Sequence, residues 1–137
     1  MTEALLLTHG AATWFMVGLI WVIQTVHYPL WVHVSSDQSH TFHRRHSRRI
    51  GWLVALAGGI EFMTAILLLV FIPTALTVTG ICCLLGIWST TILVQIPMHR
   101  RLASEWGDQL IIRLVSGNWI RTAIWSTRGA LAIAMMR

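Results

Sequence analysis

Lysine is absent from this chain, and charge of any kind is scarce. Only 11% of its 137 residues are charged, where a soluble domain carries about 25%. That shortage excludes an ordinary water-soluble globule. The net charge of +5 rests on ten arginines set against five acids. The arginines sit in short stretches between apolar runs, where membrane topology accounts for them and no nucleic-acid partner is implied. Cysteine is limited to Cys82 and Cys83, adjacent within one apolar run. Neighbours of that kind suit helix packing rather than a structural disulfide, and they say nothing of redox compartment. No positive region precedes the first apolar run and no small-residue cleavage site follows it, so that segment is expected to stay in the mature protein. No glycine-rich nucleotide loop, nucleophile elbow or zinc-protease signature is present, which sets aside ATP-driven transport and triad hydrolysis.

What the chain has instead is 55% hydrophobic residues and eight tryptophans. Four apolar runs, at about 5–31, 50–72, 75–97 and 118–136, each approach or exceed the roughly 20 residues that cross a bilayer. The expected fold is all-α: a single transmembrane domain over 1–137, built as an integral membrane four-helix bundle. The turn at Phe71, Ile72, Pro73 and Thr74 is so short that the second and third spans must form an antiparallel hairpin. Leu102, Trp106, Leu110 and Leu114 recur every four residues and suggest a short interfacial helix before the last span. The two halves echo one another: Gly18, Trp21, Gln24 and His27 against Gly86, Trp88, Gln95 and His99. Two parallel helix-hairpin repeats are one reading, and chance similarity of apolar helices is the other.

Residues 40–49, HTFHRRHSRR, hold four arginines, and Arg100, Arg101 and Arg113 mark the other long connection, against Arg137 alone at the opposite end. The positive-inside rule then puts both long connections in the cytoplasm and both termini outside.

Polar groups interrupt the spans in an ordered way. His9, Thr13, Gln24 and His27, with Met16 and Ile20 between them, fall on one helical stripe and should face protein rather than lipid. Glu61 and Arg128 both lie some 15 to 18 Å from the arginine-bearing surface at about 1.5 Å per residue, so they are expected to pair near the bilayer centre. Asn118, Arg121, Trp125 and Arg128 share one face of the last span. Six of the seven histidines, His27, His33, His40, His43, His46 and His99, belong to the same half of the bilayer. That concentration makes a haem or a transition metal one reading, with His40, His43 and His99 as candidate ligands. Successive steps of three drift about 60° around a helix, so His40, His43 and His46 cannot all face one ion. Trp21, Trp88 and Trp125 are deep enough to line a site for a flat aromatic.

The stretches QTVHYPLW (24–31), QIPMHR (95–100) and NWIRTAIWSTR (118–128) together carry a resemblance. They resemble small bacterial four-span membrane proteins that are distantly similar to the anthrone-oxygenase-like membrane family. The resemblance implies a four-helix domain in the bacterial inner membrane, with oxidation of a polycyclic aromatic to a quinone in its better characterised members. It points to His27, Asn118, Arg121 and Arg128.

Three functions are expected on these grounds. In the first, an oxidoreductase or oxygenase-like protein binds an aromatic or quinone-like ligand. His27 and Arg121 act on it, Gln24, Gln95, Asn118 and Trp125 surround it, and Glu61 with Arg128 sets the floor. In the second, the chain is a non-catalytic subunit packed against larger membrane partners or copies of itself. In the third, it carries haem or metal. The topology is testable directly. In a Cys82→Ala, Cys83→Ala background, Gln38→Cys should react with a membrane-impermeant maleimide only after the cell is opened. Thr74→Cys should react from outside. The reverse pattern would invert the orientation.

Overall fold

A computed structural model describes residues 2–137. Among them α1 covers Thr2–Val22, α2 Ser36–Phe71, α3 Ala75–Thr90, α4 Ile96–Ser104 and α5 Asp108–Met135. Helices α3 and α4 are joined through a π-turn at Thr91–Gln95, so they form one rod. Four rods result. Helix α1 packs against α2 and α5, and α3 against α5 and α2, which closes an antiparallel four-helix ring with α1 and α3 on the diagonal.

The short turns have local causes. Pro73 disfavours helical backbone at Ile72, which sits at φ −138°, ψ 68° and ends α2. Thr74 then caps α3: its hydroxyl accepts from the Thr77 amide at 3.2 Å, while the Thr74 amide donates to the Thr77 hydroxyl at 2.8 Å. This reciprocal arrangement is a capping box.

Both α1 and α3 end in a π-turn. The Tyr28 amide donates to the Ile23 carbonyl at 2.9 Å, and the Ile96 amide to that of Thr91, each spanning five residues. Pro29 and Pro97 come immediately after. A proline cannot donate to the preceding turn and crowds its carbonyl, and one extra residue in the turn relieves that conflict. The two turns lie 68 residues apart, as do Gly18 and Gly86. By this spacing His27 corresponds to Gln95 and Trp31 to His99. The spacing of 68 thus differs from the sequence echo of Gln24 with Gln95 and His27 with His99, and beyond the π-turns the chain continues as a 3-10 helix at Pro29–His33 but as α-helix at Ile96–Ser104.

Two further expectations change. The connection 33–49 is not a loop, because Ser36 starts a helix that runs unbroken into the apolar span. The interfacial helix does not exist as a unit either. Leu102 ends up on α4, Leu110 and Leu114 on α5, and Trp106 in the turn between them. Their apolar stripe is nevertheless used: all four pack with Ile23, Tyr28, Trp31 and Ile111 in a cluster at the arginine-bearing end. A second cluster, Met16, Val17, Ile20, Ile87 and Trp125, fills mid-bundle.

The exterior of the rods is apolar and the interior mixes apolar clusters with polar groups. Trp52, Leu56, Met63, Val70 and Leu93 are exposed, while Gln24, Glu61, Asn118, Arg121 and Arg128 are buried. An exposed apolar surface of this extent marks a membrane-facing exterior. Three rods, Thr2–His33, Ser36–Phe71 and Ala75–Ser104, are long and apolar enough to cross a membrane. Helix α5 carries more charge and lies alongside α1 and α3.

Inside, the Arg128 Nε donates to Glu61 Oε1 at 2.8 Å, and both side chains are at most 2% exposed. Arg128 Nη1 donates to the Gly80 carbonyl, and Trp125 Nε1 to Glu61 Oε2 at 3.3 Å. The expected pair is therefore present, and it ties α2, α3 and α5 together. Removing one partner of such a pair strands a buried charge, at about 3–5 kcal/mol. Glu61→Ala should accordingly lower the unfolding midpoint in detergent sharply. Glu61→Leu with Arg128→Met should recover most of that loss, and a double variant as unstable as the single one would refute a mainly electrostatic role.

Candidate functional site at the arginine-bearing end

The π-turn at Ile23–His27 turns His27 and Tyr28 toward the start of α2, and the one at Thr91–Gln95 does the same for Gln95 and His99. The consequence is an imidazole cluster. His27 Nε2 lies 2.7 Å from His46 Nδ1, and His43 Nε2 lies 3.1 Å from His99 Nδ1. The Tyr28 hydroxyl lies 3.0 Å from His99 Nε2. The His46 and His99 rings stack at 5.8 Å with 14° between their planes. Trp31, fully buried, meets the rings of His43, His46 and His99 edge-on and closes the cluster on one side.

Two cavities flank it. An inner one of about 370 Å³ is lined by Tyr28, His43, His46, Gln95, His99 and Arg121, with Ile50, Val54 and Ile96 as apolar wall. An outer one of about 560 Å³ is lined by His27, Asp37, Gln38, Arg45, His46 and Arg49. His46 belongs to both.

Beneath the inner cavity runs a polar string. Gln24 Nε2 donates to the Val115 carbonyl at 3.1 Å, Asn118 Nδ2 to Gln24 Oε1 at 2.8 Å, and Arg121 Nη1 to Asn118 Oδ1 at 2.9 Å. The guanidinium lies over the Trp125 ring, 5.3 Å from its centroid, a favourable cation–π placement. Arg121 Nε and Gln95 Oε1 are buried without a hydrogen-bond partner. A buried polar atom left unpaired costs about 1–3 kcal/mol, and both of these residues line the inner cavity. Among the described residues the only ion pair is Glu61 with Arg128, so Arg121 has no carboxylate of its own.

The expected site residues therefore divide into groups. Gln95 and Arg121 reach the inner cavity, while His27 reaches the outer one. Gln24 and Asn118 orient Arg121 from behind, and Trp125 supports it from below. Glu61 and Arg128 form a separate pair deeper in the bundle and are no floor to the cavity. His43 and His99 come together, but His40 is exposed and makes no such contact. The 60° drift explains that split, since two neighbours in such a series share a face and the third does not. Among the described residues no three His, Cys, Asp or Glu side chains are disposed to hold one ion. Trp21 faces outward, donating to Ser126 Oγ at 3.1 Å, and does not line the site. Tyr28 and His46 join the cavity although sequence reasoning assigned them no role there. Tyr28 stands four residues past Gln24 on the inward stripe, which was the available signal.

Compared with family models, with curated proteins and with solved structures, the chain matches none.

His43 and His46 on the arginine-rich start of α2, and His99 past Pro97, lie outside the apolar stretches. Burial, then the neighbouring imidazoles of His27, His99 and His43, pushes His46 down to about 3. Burial, with His43 and Arg121 nearby, brings His99 down to about 4. His43 is lowered by burial and by His40. Each is thus harder to protonate when folded than in the unfolded chain at 6.5. Stability is fully present above 6.5 and drains as pH falls toward 4 and 3, because the unfolded state takes up protons first. The melting temperature in detergent should fall across that window, and His46→Gln, which cannot charge, should flatten the fall. An unchanged slope would mean that His46 charges as readily folded as unfolded.

Proposed function

We propose that the chain is a four-span protein of the bacterial inner membrane, with its arginine-bearing end in the cytoplasm and α5 as the fourth crossing. In this reading the inner cavity binds an aromatic ligand bearing a carbonyl or phenolic oxygen, as a quinone-like molecule does, in the manner of an oxidoreductase or oxygenase-like protein.

The observation that carries this reading is the contrast between two arginines on α5. Arg128 is neutralised by the Glu61 carboxylate, whereas Arg121, also buried, has no anionic partner and lines a cavity; each guanidinium keeps one buried nitrogen without a hydrogen bond, Nη2 in Arg128 and Nε in Arg121. A cation held unpaired at that depth favours an oxygen that carries or develops negative charge. Gln95, whose buried Oε1 also lacks a hydrogen-bond partner, lines the same cavity, and Tyr28 adds a further polar residue. Between them stand Ile50, Val54 and Ile96, which suit the flat apolar body of an aromatic ring. The cavity is walled by α2 on one side and the α3–α4 rod on the other. A ligand dissolved in the leaflet would therefore enter sideways, between those two rods.

The test uses 1,4-naphthoquinone titrated into the purified protein, with tryptophan quenching as the readout. Arg121→Gln should weaken saturable binding by about 10- to 100-fold, the equivalent of losing one charged hydrogen bond of about 1.5–3 kcal/mol. Equal affinity in the parent and the variant would refute the assignment. Stoichiometric recovery of a partner protein, together with no ligand binding by the isolated chain, would favour an accessory subunit instead.

A further inference from the structure

The two cavities share one wall, and that wall is an imidazole. His46 lines both, and its Nδ1 is 2.7 Å from His27 Nε2, which belongs to the outer cavity alone. The ring centroids are 4.7 Å apart with 24° between the planes, so the two rings meet nitrogen to nitrogen and nearly in one plane, as a hydrogen bond between them requires. The string formed by Tyr28, His99 and His43 lines the inner cavity and stops there. Of the hydrogen-bonded histidines, only the His46–His27 pair runs from the cavity where a ligand would sit to the second cavity.

We propose that His46 and His27 form a two-imidazole proton conduit between the ligand in the inner cavity and the outer cavity. This inference rests on the ligand-binding reading and adds to it the route by which a hydroxyl-bearing ligand loses its proton. A neutral imidazole holds one N–H and one lone pair, so the step balances. The ligand hydroxyl gives its proton to His46 Nε2 while the Nδ1 proton of His46 passes to His27 Nε2. The Nδ1 proton of His27 then leaves to water in the outer cavity, where the Asp37 carboxylate also lies. Both rings end neutral, in exchanged tautomers. The ligand is left as an oxyanion in the cavity lined by Arg121, whose guanidinium has no carboxylate partner, which accounts for a cation at that position. Repeating the cycle requires the proton to return along the same route or the rings to flip.

The probe is 2-naphthol, a phenol that becomes strongly acidic when excited and whose neutral and ionised forms emit at different wavelengths. Bound to the parent protein it should emit mainly from the ionised form, because the conduit accepts its proton. His27→Gln leaves the inner cavity intact, so binding should persist while the ratio of ionised to neutral emission falls several-fold. His46→Gln should lower the same ratio, with binding followed separately by tryptophan quenching. Saturable binding in all three proteins with the same emission ratio would overturn the conduit while leaving the pocket standing. No saturable binding even to the parent would overturn the pocket, and the conduit with it. In the ligand-free protein, labelled at histidine nitrogen, a coupling across the hydrogen bond from His27 Nε2 to His46 Nδ1 is expected. Its absence would equally reject the pair as a conduit.

Discussion

Arg128 is the residue on which the bundle depends. Its guanidinium reaches a carboxylate on α2 and a main-chain carbonyl on α3 while its own backbone belongs to α5. In water such a contact is weak, since solvent competes for every hydrogen bond. In a dry interior no competitor exists, and the alternative is an isolated charge in hydrocarbon. Three of the four rods are thereby held in register by a side chain rather than by their connections. Helix α1 joins them through packing of Met16, Val17 and Ile20 against Ile87 and Trp125, and through Gln24 reaching Asn118.

With that register set, the seven residues from Arg128 back to Arg121, two helical turns, place the second guanidinium on the same face but nearer the arginine-bearing end. There it meets amide groups and an indole ring rather than a carboxylate. The chain thus builds two arginine environments of different character from one periodic face. One is neutralised by a carboxylate and serves cohesion. The other is oriented by Asn118 and Trp125 and left open on the side where Tyr28, His46 and His99 gather.

Much of this was legible in the sequence because bilayers impose simple rules. Apolar runs report rods, the tight turn around Pro73 reports a hairpin, and polar groups at helical spacing report the inward face. The Glu61 to Arg128 pair could be anticipated from depth alone. The cavity was harder to see because it depends on backbone that departs from regular α-helix. A straight-helix reading carries His27 and Gln95 forward in phase, whereas each π-turn adds a residue and rotates the side chains that come after it. The arginine-rich stretch 40–49 was also ambiguous, for charges at a membrane surface look alike in a loop or in a helix that simply continues. The helix delivers His43 and His46 inward on a fixed spacing while its arginines stay exposed.

The paired π-turns have a consequence for how such a protein can change over generations. A residue gained or lost inside one of them alters the angular offset of everything beyond it, yet leaves the charge-bearing middle of the bundle untouched. The lining of the cavity would then drift by phase slippage within a helix. Surface connections, where variation usually accumulates, would contribute little to it.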